Sequence, residues 1–112
     1  MEVKKEKESK IYKKLVRDKI PNMISENNQI SEWYILPETD YENEVILKLQ
    51  EETGEYLSSK NPEELADMLE VLMELARIAG VPFAEIEAMR KKKIEEKGGF
   101  SKRIFLVKVQ EK

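Results

Sequence analysis

The chain has 112 residues, 40% of them hydrophobic and 38% charged, and its 23 acids against 20 bases leave a net charge of −3. That length suits one domain with a modest core, and the near balance of charge argues against the basic footprint of a protein that binds polymeric nucleic acid. Cysteine and histidine are both missing, which excludes disulfides, thiolate or imidazole metal ligation, and Ser-His or Cys-His catalysis. Any chemistry falls to carboxylates, amines, hydroxyls and a metal.

In chain order, residues 1–10 carry charge without apolar periodicity and read as a flexible tail, so that one helical domain is expected over 11–112. Asp18 is placed to cap a short helix with Pro21 in its first turn. The segment Ile30 to Leu36, stopped by Pro37, reads as a strand. Thr39-x-x-Glu42 has the form of a capping box opening a long helix to about Lys60. Asn61-Pro62 begins another that runs to Ala79 and stops at Gly80. The short link makes these two helices an antiparallel hairpin. A further helix spans about Phe83 to Lys97 before Gly98-Gly99, and Arg103 to Val109 reads as a strand that would pair with the Trp33 segment. The expected fold is mainly α, an antiparallel helical bundle with a small two-stranded β element. No run approaches the roughly 20 apolar residues of a membrane span, so a cytoplasmic protein without a membrane partner is expected. Trp33, Tyr34, Tyr41 and Tyr56 read as core residues rather than a base-stacking platform.

Two acidic clusters carry the chemistry. Glu52 and Glu55 lie one turn apart on the first long helix, and Glu64 and Asp67 lie one turn apart on the second, so the hairpin can aim four carboxylates at one point. Oxygen-only ligation of this kind suits Mg²⁺, whose shell is usually completed by water and substrate phosphates. Glu52 falls inside the apolar stripe of Val45, Leu49 and Tyr56, where an unpaired charge costs several kcal/mol, on the order of what burial of an ion costs in real proteins. Glu51 lies further round the helix. Gly54, costing roughly 1 kcal/mol relative to Ala in a helix interior, suggests close approach by a neighbour. Glu64 also has an ordinary role open to it, as the third residue of a capping box begun by Asn61. Asp67 could likewise serve the helix dipole.

On that second helix Leu65, Met68, Leu69, Leu72, Leu75, Ala76 and Ala79 form the broad face expected to meet the core. Glu64, Asp67, Val71, Glu74 and Ile78 line an adjacent strip. Apolar residues on both sides suggest burial in an oligomer. Arg90, Lys93 and Lys97 share one side of the last helix, either as a solvated face paired with neighbouring glutamates or as a clamp for a polyphosphate. Arg17 and Lys19, flanking Asp18, are equally open to surface and phosphate-contact roles.

The ordered segments Glu51-Glu52-x-x-Glu55, Glu64-x-x-Asp67, Lys14-Leu15-Val16-Arg17-Asp18-Lys19-Ile20-Pro21 and Lys97-Gly98-Gly99-Phe100 resemble the MazG-like all-α nucleoside triphosphate pyrophosphohydrolase superfamily, in its phosphoribosyl-ATP pyrophosphohydrolase-like branch. The resemblance implies cleavage between the α- and β-phosphates of a nucleotide to give a monophosphate and pyrophosphate. It implies Mg²⁺ held by Glu52, Glu55, Glu64 and Asp67, with Glu52 and Glu55 as the catalytic carboxylates. Arg17, Lys19, Arg90, Lys93 and Lys97 would bind substrate, in a homodimer or homotetramer. Histidine-pathway members of the superfamily carry a histidine soon after the ExxD segment. This chain has none, which points to house-cleaning of noncanonical or excess nucleotides. Two rival readings are a non-enzymatic helical interaction module and a phosphohydrolase that releases orthophosphate.

Overall fold

The computed structural model describes residues 8–112, so the tail expected over 1–10 lies largely outside the described residues. They form four helices: α1 (Ile20–Glu26), α2 (Glu38–Ser59), α3 (Pro62–Ile78) and α4 (Phe83–Lys97). The chain divides into two compact units, one running to Leu75 and one from Ala76 to Lys112. No helix among the described residues is long and apolar enough to cross a membrane.

Two of the three helix starts where a side-chain cap is inferred depart from expectation. Helix α1 starts after Lys19 with no side-chain cap, so Asp18 does not cap it, although Pro21 does sit in its first turn. Helix α2 starts one residue early, after Pro37. Thr39 is therefore inside the helix, and the acids Glu38 and Asp40 serve the positive end of the dipole in place of a capping box. At α3 the expected cap forms: Asn61 Oδ1 accepts from the Glu63 N–H at 3.0 Å. Gly80, at φ +74°, closes the other end. Its N–H donates to the Arg77 carbonyl and the Val81 N–H to the Ala76 carbonyl, each at 3.0 Å, the Schellman pattern that a left-handed residue permits.

The two expected strands are not formed; the described residues contain helices and irregular backbone only. Strand propensity measures how well side chains fit a pleated, half-buried surface, and neither 30–36 nor 103–109 has one. Trp33, Tyr34 and Ile35 are exposed, as are Ile104 to Val107, so Trp33 and Tyr34 are not the core residues expected.

The larger correction concerns α3. Leu65, Leu69 and Leu72, of the face expected to be core, are exposed, as is Met73 beside them, while Ala76 of that face is buried. The strip carrying Glu64, Asp67, Val71 and Glu74 is the more enclosed one, with Val71 buried. In the first unit that strip lies toward α2, where Val45 is 1% exposed and the Tyr41 hydroxyl donates to Glu74 Oε1 at 2.6 Å. Buried hydrophobic residues among those described are Val45, Val71 and Ala76 alone, so the modest core expected of the chain by itself is barely present.

Candidate metal centre

The antiparallel α2–α3 hairpin brings Glu52, Glu64 and Asp67 together: each offers a carboxylate oxygen, and these oxygens lie within 4.8 Å of one another. Glu52 is the buried member, at 7% exposure. One turn earlier, Lys48 Nζ lies 3.4 Å from Glu52 Oε1. Oε2 is enclosed and has no hydrogen-bond partner among the described residues. A carboxylate oxygen withdrawn from water and left without a donor is costly unless a ligand supplies the missing partner.

Glu55, the fourth expected ligand, is not part of this cluster. It stands beside Glu64 on an open groove of about 550 Å³ that is also lined by Glu51, Gly54, Ser58 and Ser59. The Glu64 carboxyl is pushed above its ordinary range, first by partial loss of solvent and then by the charges of Glu55, Asp67 and Glu52, with a hydrogen bond to Glu55 contributing. The capping role open to Glu64 is not taken up, because the Asn61 N–H that a capping box would engage donates instead to Ser59 Oγ at 3.1 Å. Gly54 is not explained by close packing, since a Cβ there would meet nothing within 4 Å; the missing side chain leaves this part of the groove wall open.

Basic residues surround the acids. Glu51 accepts from Lys14 Nζ at 2.8 Å and from Lys48 Nζ at 3.2 Å. Burial alone would raise its carboxyl, but the two ammonium groups outweigh this and hold it below the ordinary range. Glu51 is thus committed to lysines. Arg17 Nη2 donates to Asp67 Oδ1 at 2.7 Å, which places one of the expected phosphate contacts directly on the cluster. Lys14, which spacing alone did not single out, belongs to the same surround. Lys19 is exposed at the start of α1. Arg90, Lys93 and Lys97 belong to α4 in the second unit. There Glu87 takes up the Arg90 guanidinium through Nε and Nη2, and Lys93 and Lys97 are exposed, which is the pattern of a solvated helix face.

Compared with family models, with curated proteins and with solved structures, the chain finds no match in any of the three.

Proposed function

We propose that the hairpin binds a divalent cation, Mg²⁺ by the hardness of its donors, and that the protein is a nucleotide pyrophosphohydrolase releasing pyrophosphate and a monophosphate. The observation that carries this is Glu52, a buried carboxylate whose Oε2 has no donor among the described residues and which has a carboxylate oxygen within 4.8 Å of oxygens of Glu64 and Asp67. Three carboxylates held this close repel one another, and a cation among them turns the repulsion into attraction.

Glu52, Glu64 and Asp67 would hold the cation, which when bound supplies charge neutralisation of the phosphates and stabilisation of the pyrophosphate leaving group. Glu55 sits on the open groove beside Glu64, to which it is hydrogen-bonded, and from there its carboxylate would orient a water molecule and accept its proton. Lys14 and Lys48 keep Glu51 paired, leaving Glu51 no direct part. The chemistry needs no imidazole, in keeping with the composition.

The same reading includes assembly of the chain with copies of itself, as a homodimer or homotetramer. What supports it is the stripe of Leu65, Leu69, Leu72 and Met73 on α3, continuous at helical spacing and exposed, in a chain with so few buried apolar residues. That stripe equally favours a second reading, a helical interaction module without catalysis. One experiment separates them: nucleotides are incubated with the protein and Mg²⁺, and pyrophosphate and orthophosphate are assayed separately. Pyrophosphate that disappears in Glu52→Gln is the expected result. Orthophosphate alone would make the protein a phosphohydrolase of another class, and no product from any nucleotide would favour the interaction module.

A further inference from the structure

Asp67 already has a cation on it. The guanidinium of Arg17 reaches its Oδ1 from the irregular segment 8–19, fifty positions earlier in the chain. Three residues before Arg17, Lys14 holds Glu51 Oε1 on α2, so the segment is strapped across both helices of the hairpin. The two attachments differ in kind. Lys14 is bound to an acid outside the cluster, and its ammonium is held in the charged form first by the Glu51 hydrogen bond. Arg17 is bound to an acid within it.

The Arg17 pair is exposed, at 58% for the arginine side chain and 37% for the aspartate, and ion pairs this open to water exchange readily. It also leaves the cluster incomplete: the Glu52 side chain is 9% exposed and its Oε2 has no hydrogen-bond partner among the described residues, Arg17 included. A divalent cation among Glu52, Glu64 and Asp67 brings twice the charge of a guanidinium and can serve the buried carboxylate that Arg17 leaves unserved.

We propose that Arg17 is a displaceable counter-ion of the acidic cluster: a divalent cation replaces it on Asp67, and the freed guanidinium binds phosphate oxygens of the nucleotide. This rests on the reading of the cluster as a cation site. Lys14, still anchored to Glu51, keeps Arg17 close to where phosphates would meet the cation, and a guanidinium fork suits paired phosphate oxygens. Arg17 therefore opposes cation binding in the free protein and favours phosphate binding once the cation is present. Cation and phosphate bind with positive coupling, each strengthening the other by the same factor.

The test uses the full chain with Mn²⁺ and inorganic tripolyphosphate as probes, followed by calorimetry. Arg17→Gln is expected to bind Mn²⁺ roughly two- to fivefold more tightly than the wild type, by removal of an exposed ion pair. In saturating Mn²⁺ it should bind tripolyphosphate about tenfold more weakly, through loss of a charge-assisted contact. In the unaltered protein the Arg17 Nε–H resonance should move during a Mg²⁺ titration with the midpoint of cation binding, a readout independent of how any variant folds. Mn²⁺ binding by the wild type that is unchanged or weaker in Arg17→Gln, or an Arg17 resonance that stays fixed at saturating Mg²⁺, overturns the proposal and leaves the cation site standing. Absence of Mn²⁺ binding by both proteins overturns the cation site, and the proposal with it.

Discussion

Tyr41 and Glu74 are joined across the α2–α3 hairpin by a hydrogen bond of 2.6 Å from the phenol to Glu74 Oε1. It lies near the start of α2 and well along α3, whereas Glu52 meets Glu64 and Asp67 further along α2 and near the start of α3. Two helices running in opposite directions are thus held in register at two levels, with buried Val45 and Val71 carried on the stretches between. Removing the phenol oxygen should weaken this register. Tyr41→Phe is expected to lower stability by about 1–2 kcal/mol, the usual range for deleting a donor to a partly buried carboxylate. Urea unfolding at fixed protein concentration measures it, and a change within error would mean that the pair contributes nothing to holding the hairpin.

Glu52 should cost stability in the metal-free protein. Its unpaired Oε2 is withdrawn from water, and replacing a buried charge by an apolar side chain of similar volume is often neutral or stabilising. Lys48 would remain paired, because it also donates to Glu51. Glu52→Met is therefore expected to be more stable than the wild type by about 1–2 kcal/mol in the presence of a chelator. The order should reverse with Mg²⁺: the wild type gains melting temperature through binding to the folded state, and the variant does not. A variant less stable than the wild type without metal would identify Glu52 as a structural residue.

How much of this was legible in the sequence varies with the range of the interaction. Helix α3 could be read because its signals are local: Asn61 caps it, Pro62 follows, and Gly80 supplies the left-handed turn that ends it. Glu52 could be singled out because a carboxylate within an apolar stripe contradicts the pattern around it. The inward face of α3 was misread because apolar count locates the most hydrophobic face, and here that face is not the one the hairpin covers. Leu65, Leu69 and Leu72 are left outside, while the strip with three acids and Val71 turns inward. The strands over 30–36 and 103–109 were inferred from composition, which carries no information on whether a ladder partner is within reach. Arg17 on Asp67 and Lys14 on Glu51 join residues 50 and 37 positions apart, a distance over which spacing has no periodicity to reveal.

The opposed behaviour of Glu64 and Glu51 makes the cation effect depend on pH in a definite direction. Glu64 is raised above its ordinary value of 4.5 in the folded protein, first by loss of solvent and then by Glu55, Asp67 and Glu52. Its contribution to metal-free stability is therefore fully present below 4.5 and lost as pH rises through the raised value. Glu51 is lowered, with the hydrogen bonds from Lys14 and Lys48 outweighing burial, so its contribution is present above 4.5 and lost as pH falls through the lowered value. A cation needs Glu64 ionised and competes with the proton that the neighbouring acids favour. The rise in melting temperature on adding Mg²⁺ should accordingly be full near neutral pH and begin to shrink above pH 4.5, earlier in acidification than an ordinary glutamate would allow. Melting curves with Mg²⁺ and with chelator across this range, repeated for Glu64→Gln, check the assignment. The variant should show a smaller Mg²⁺ shift at neutral pH and lose the part of the pH dependence that lies above 4.5; a profile identical to that of the wild type would remove Glu64 from the site.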